Sequence, residues 1–234
     1  MDDAEAGKRA AGRAAAALVE DGMVLGLGTG STARWFIDAV GELVRSGMSL
    51  RGVATSDRSE AQARALGIPL VELGRNGVDL AVDGADSVDP DLRLVKGLGG
   101  ALVREKIVAA AARVFVVVVD AGKLHERLRG PVPVEVIPFG HEATLAALEP
   151  TGAVFALRRG AGGAPLLSDN GNLIADGAFT AVEDPEGLAE QIEGIPGVVG
   201  HGLFLGMTDL VFSGRPDGTV ERREAGVQLP SAGG

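Results

Sequence analysis

The sequence predicts an α/β fold: a Rossmann-like parallel sheet flanked by helices, with a small α+β (ferredoxin-like) second domain. Three observations carry that prediction. Short apolar runs, the strongest at 114–119, alternate with alanine-rich or amphipathic segments of helical length. Glycine-rich or acidic turns follow those runs where a strand would hand over to a helix. Near Gly130 the alternation loosens, Pro131, Pro133 and Pro138 punctuate the chain, and hairpin signals replace it.

The elements follow in order. Residues 3–20, rich in alanine and charge, predict a helix ended by Asp21-Gly22. A strand over 23–27 runs into the loop Gly26-Leu27-Gly28-Thr29-Gly30-Ser31-Thr32, and a helix follows over 32–45. Next come a strand at 50–54 and a helix at 57–66, with Ser56 or Asp57 as N-cap and Gly67 as C-cap. A short strand at 69–72, a turn at Asn76-Gly77 and a buried strand at 78–82 precede a helix over 100–112 and the strand 114–119. Beyond Gly130 the pattern predicts a helix at 141–149, strands at 153–157 and 165–168, and a hairpin turn at Asp169-Asn170-Gly171-Asn172 returning through 173–175. A helix at 185–193 opens on Asp184-Pro185. Residues 209–212 and the turn Arg215-Pro216-Asp217-Gly218 rejoin the first domain. The expected division is therefore 1–130 with 205–234 as the main domain and 131–204 as the small one, with a disordered tail at 228–234.

Composition narrows the chemistry. The net charge of -10 argues against non-specific nucleic-acid binding, and no apolar run is long enough to span a membrane. The acidic N-terminus, Met1-Asp2-Asp3-Ala4-Glu5, is unlike a secretory signal. With no cysteine there is no thiol chemistry, which fits a cytoplasmic location. The three histidines show no metal-ligand spacing, and tyrosine is absent. A catalytic site must then be built from carboxylates, lysine, arginine, hydroxyls and backbone.

Six segments supply such groups. In the loop 26–32, backbone N–H groups at a helix N-terminus and the hydroxyls of Ser31 and Thr32 can hold an anion; the bland alternative is a tight turn with a cap. The loop lacks the third glycine of a dinucleotide fingerprint and the Gly-Lys-Ser/Thr of a P-loop. Thr55-Ser56-Asp57-Arg58-Ser59 occupies the equivalent position after the next strand, as ligand contact or helix cap. Asp83 and Asp86, at the end of the 78–82 strand, suit proton transfer, magnesium ligation or an Asx-turn. Lys96 opens the turn Lys96-Gly97-Leu98-Gly99-Gly100 and is either an oxyanion stabiliser or a solvated loop lysine. Arg104-Glu105-Lys106 fans over a helix on which Ala101, Leu102, Val108 and Ala109 flank Glu105, and periodicity leaves open which of the three turns inward. Lys123, in Asp120-Ala121-Gly122-Lys123, can neutralise phosphate or sit in a polar turn.

Taken together, these segments resemble ribose-5-phosphate isomerase, type A. The likeness extends over A-L-G-I-P (65–69), V-D-G-A-D (82–86), K-G-L-G-G-A-L-V-R-E-K (96–106), P-V-P-V-E-V-I-P (131–138), D-N-G-N (169–172) and I-P-G-V-V-G-H-G-L-F (195–204). It covers nearly the whole chain, and the order and spacing of the pieces are its most specific aspect. It implies a metal-independent and cofactor-free interconversion of D-ribose 5-phosphate and D-ribulose 5-phosphate through an enediolate. It further implies Glu105 as base, Lys96 as oxyanion stabiliser, and Asp83 with Asp86 in ring opening and hydroxyl proton transfer. Ser31, Thr32, Lys123 and Lys8 match phosphate and sugar contacts, and Gly28, Thr29 and Gly30 shape their loop. The implied assembly is a homodimer or homotetramer, with a small sugar phosphate as partner. Two positions depart from the family pattern: Ser87 replaces a usual glutamate, and Leu98 interrupts a usual glycine run. The competing readings are an amino-sugar phosphate deaminase on a similar scaffold and a sugar-phosphate sensing module. The acid–lysine–glutamate set argues against the first, and the lack of a basic DNA-binding segment against the second.

Overall fold

Helix α1 (Asp3–Ala16) opens the computed structural model, which describes residues 3–226. It stops four residues short of the predicted end. The N–H groups of Ala17, Leu18 and Val19 bond three residues back, and this tighter turn directs Leu18 and Val19 onto the core. Then follow β1 (Val24–Leu27), α2 (Ala33–Arg45), β2 (Arg51–Ala54), α3 (Asp57–Ala65) and β3 (Leu80–Asp83). The predicted strand at 69–72 is reduced to one bridge between Gly52 and Leu70. The short strands β4 (Ser87–Val88) and β5 (Leu94–Val95) precede α4 (Leu102–Ala110) and β6 (Phe115–Asp120).

The proline-punctuated stretch forms a regular strand, β7 (Gly130–Val136), that pairs on both sides. Pro133 turns its carbonyl to the Gly202 N–H at 2.7 Å, so its missing donor faces that side and the ladder to the other neighbour stays intact. Helix α5 (His141–Leu148), β8 (Phe155–Leu157), β9 (Leu173–Phe179) and α6 (Pro185–Glu193) follow. The predicted strand at 165–168 provides only isolated bridges, from Pro165 to Arg159 and from Leu167 to Leu173. The chain closes with β10 (Val198–His201), β11 (Leu203–Phe204), β12 (Leu210–Gly214) and β13 (Val220–Glu224). The segment 228–234 lies outside the described residues.

The main sheet has the order β13-β12-β6-β3-β1-β2, parallel except for the β12–β13 hairpin. Period-2 alternation splits its core in two. Leu80, Val82, Val116 and Val118 face α1 and α2. Ala81, Phe115, Val117 and Val119 face α4 and the small β11-β5-β4 sheet. The second sheet has the order β10-β7-β9-β8 and the connectivity β7-α5-β8-β9-α6-β10, a ferredoxin-like arrangement with its own core around Val134, Phe155, Ala175 and Ile192. At the far edge of the main sheet α1 packs closely on β12: a Cβ on Gly7 would lie 2.7 Å from the Gly214 carbonyl oxygen.

Candidate active site

Strand order turns around between β1 and β3, and ligands in open α/β sheets bind beyond the strand ends at such a point. The loops leaving β1, β3 and β6 meet there. Gly28 N–H donates to Val82 O at 3.0 Å and Thr29 N–H donates to Asp83 Oδ1 at 2.9 Å, so the β1 loop lies directly on the end of β3. Only glycine permits that approach, because a Cβ at 28 would sit 2.3 Å from Asp83 Oδ1. Thr29 is buried, and its hydroxyl joins those of Thr55, at 2.8 Å, and Ser56, at 2.6 Å.

At the centre are three buried charges. Lys96 is 2% exposed, and Asp83 and Glu105 are each 3% exposed. Lys96 Nζ lies 3.1 Å from Asp83 Oδ2 and 3.4 Å from Glu105 Oε2, and it donates to Gly84 O. Its backbone N–H bonds Gly202 O at 2.8 Å, which ties the lysine to the β10–β11 connection. Burying charge is expensive unless it is paired, and here one ammonium serves two carboxylates. Burial would drain the Lys96 charge, but Asp83 and then Glu105 reverse that and hold its pKa above the ordinary lysine value. Burial pushes the Asp83 carboxyl up, against Lys96 and the N–H groups of Gly84 and Thr29. Burial, with the Asp83 charge adding to it, pushes Glu105 up to about 8, and Lys96 offsets only part of this. Glu105 Oε2 accepts no directed hydrogen bond among the described residues. A carboxylate so placed is under-solvated and poised to take a proton.

Around this centre is a cavity of about 140 Å³. Lys8, Thr29, Gly30, Ser31, Thr32, Asp86, Lys96, Glu105 and Lys123 all line it, together with Asp120. Lys8 reaches it because Gly7 lets α1 lie against β12. Asp86 is fixed by the Leu98 N–H, which donates to its Oδ2 at 3.0 Å. Asp83 is beneath the cavity instead of on its wall, holding the loop and the lysine, and Gly28 lines an adjoining cavity with Arg34 and Arg58. The structure thus brings Lys8, Thr29, Gly30, Ser31, Thr32, Asp86, Lys96, Glu105 and Lys123 to one cavity, with Asp83 beneath it and Gly28 beside it.

Several details lay beyond the sequence. Of Arg104-Glu105-Lys106, it is Glu105 that turns inward. Arg104 instead bonds Asp57 at 3.0 Å, Asn170 at 2.9 Å and Asp169 O at 2.7 Å, and Lys106 sits over Phe204. Ser56 is a helix cap, in a capping box with Ser59, and it supports Thr29. Ser87 is fully buried, accepts the Arg129 N–H at 3.3 Å and is absent from the cavity wall. Leu98 keeps its side chain outside and contributes its backbone. The contact of Arg158 with the Lys96 loop has one signal in the sequence, the basic pair Arg158-Arg159 that closes the strand at 155–157.

The family model for ribose 5-phosphate isomerase A (phosphoriboisomerase A) matches residues 51–218. A ribose-5-phosphate isomerase A from Roseiflexus sp. (strain RS-1) is 52% identical over 208 residues, covering 87% of this chain and 89% of that protein. The solved ribose 5-phosphate isomerase A of Methanocaldococcus jannaschii is 40% identical with a TM-score of 0.88, covering 93% of this chain and 97% of its own. A solved D-ribose-5-phosphate isomerase in complex with phospho-erythronic acid is 41% identical, with the same TM-score and coverage.

Proposed function

The chain belongs to the ribose 5-phosphate isomerase A family and interconverts D-ribose 5-phosphate and D-ribulose 5-phosphate, and on that premise we propose how its residues divide the work. Glu105 is the base. It takes the proton from C2 of the open-chain aldose; the C–H electron pair becomes the C1–C2 double bond, and the carbonyl oxygen on C1 takes the negative charge. The Lys96 ammonium stabilises that oxygen. A hydroxyl proton passes between O2 and O1 with Asp86 as relay, while Asp83 holds Lys96 from beneath, and Glu105 returns its proton to C1, leaving the carbonyl at C2. Asp86, on the cavity wall, also opens the furanose ring. The observation that carries this reading is the triad itself: a buried lysine within 3.4 Å of two buried carboxylates, on the floor of a cavity of sugar size.

Lys8, Lys123, Ser31 and Thr32 bind the phosphate, with the Gly28–Thr29–Gly30 backbone shaping their loop. Holding the phosphate far from the reacting carbons orients C1 and C2 on Glu105. The phospho-erythronic acid bound by the related isomerase supports this: it is a four-carbon acid whose flat, anionic carboxylate resembles an enediolate carrying a distal phosphate. Residues 131–204 form a small domain that covers the site borne by 1–130 and 205–234. We place the protein in the cytoplasm, and we propose a homodimer or homotetramer, to which exposed apolar side chains such as Phe139, 93% exposed, and Val154, 79% exposed, lend support.

The reaction needs neither metal nor cofactor in this scheme, since Lys96 already supplies the positive charge beside the reacting oxygen. Ketose formation from ribose 5-phosphate after exhaustive chelation tests this. Full activity is expected. Activity lost and then restored by a divalent cation would refute metal independence, and no ketose under any condition would refute the isomerase reading.

A further inference from the structure

Arg158, just beyond β8, connects the second sheet to the loop that carries Lys96. Its guanidinium forks. Nε donates to Asp176 Oδ2 at 2.8 Å and Nη2 to Asp176 Oδ1 at 2.5 Å, a bidentate pair. Nη1 donates to the carbonyls of Gly97 and Leu98, each at 3.0 Å. The Gly97 carbonyl belongs to the peptide whose N–H, on Leu98, donates to Asp86 Oδ2 at 3.0 Å. A cation thus pulls on one end of a peptide while a carboxylate accepts from the other, and hydrogen bonds in such a chain strengthen one another. The side chain of Arg158 is only 14% exposed and its backbone is pinned by Ile174 and Leu166, so the fork cannot swing away cheaply. The loop it grips has little rigidity of its own, with Gly97 at φ 99° and Gly100 at φ 86°.

We propose that Arg158, oriented by Asp176, is a positioning residue for the isomerisation: it sets the Gly97–Leu98 peptide, and through that peptide the carboxylate of Asp86, at the mouth of the pocket. The inference rests on the assignment of Asp86 to proton transfer. A lysine at 158 would keep the charge but lacks the planar fork that spans Asp176 and two carbonyls at once.

A rate-based double-mutant cycle tests it on the full-length protein with ribose 5-phosphate as substrate. Arg158→Met should lower kcat about 10- to 100-fold with KM within two-fold, because the proposed phosphate contacts are untouched. In an Asp86→Asn background the same change should cost less than two-fold, since the carboxylate it positions is gone. Arg158→Lys, the variant that best preserves packing, should lose at least five-fold in kcat with KM unchanged, and it decides the matter should Arg158→Met fail to fold. Wild-type kcat in Arg158→Lys, or equal factors lost with and without Asp86, would overturn the proposal. Should Asp86→Asn alone retain full activity, the Asp86 assignment fails instead, which keeps the two failures distinct.

Discussion

Replacing Glu105 with glutamine should abolish turnover and yet make the protein more stable above neutral pH. The wild-type carboxyl has a pKa of about 8 in the folded chain against an ordinary value of 4.5, raised first by burial and then by Asp83. Between those two values the folded state holds a proton that the unfolded chain has released. Stability contributed by this group therefore falls as pH rises through that window, and levels off above about 8. Each pH unit is worth about 1.4 kcal/mol, so raising the pH from 6 to 9 costs the wild type roughly 3 kcal/mol from this side chain. The Lys96 and Asp83 carboxylate pair, 3.1 Å apart, remains in the variant, so no unpaired ammonium is left behind. Paired thermal melts of wild type and Glu105→Gln at pH 6 and pH 9 measure the difference. The variant should gain several degrees over wild type at pH 9 and keep only part of that advantage at pH 6, while its kcat falls at least 1000-fold. A variant less stable than wild type at pH 9 would refute the idea that this carboxylate is held at an energetic cost. Near-normal turnover would refute its role as base.

Four other outcomes follow from the same geometry. The kcat/KM of the wild type should decline tenfold per unit as pH drops below about 8, because Glu105, faced by Asp83, Asp86 and Lys96, must be ionised to accept the C2 proton; a flat profile from pH 6 to 9 contradicts this. Lys106 is also held near 8 by burial but does not line the cavity, so Lys106→Met should leave that limb where it is, as a pH–rate comparison would reveal. Lys123→Ala should raise KM for ribose 5-phosphate by about tenfold with kcat within a few-fold, and an unchanged KM would remove Lys123 from the phosphate site. Gly28→Ala should cut activity by at least 100-fold, since its Cβ would lie 2.3 Å from Asp83 Oδ1; wild-type rates would mean the β1 loop can shift freely.

Much of this protein is legible in the order of its residues. The alternation of apolar runs with helical segments specifies the doubly wound sheet, because strands buried on both faces must be continuously apolar, as at Val116–Val119. Loops at strand ends hold the chemistry in such sheets, so Gly28, Asp83, Asp86, Lys96 and Lys123 could be marked in advance. The elements hidden from the sequence share one cause. The strand β7 was hidden by Pro131 and Pro133, whose tolerance depends on which neighbour their missing donors face. The short strands β4, β5, β10 and β11 exist through their pairing partners and have no periodicity of their own.

Tertiary structure alone decided the rest. That Glu105 turns inward while Arg104 and Lys106 do not depends on a rotation of α4 that three successive charges cannot encode. The raised basicity of Glu105 comes from burial beside Asp83, a residue 22 positions away, and vanishes in an extended chain. Arg158 and Asp176 reach the Gly97–Leu98 peptide that holds Asp86 only through tertiary packing. Local sequence dictates which backbone states and which faces are favoured; distances between groups far apart in the chain, and the solvation they lose together, are properties of the packed whole.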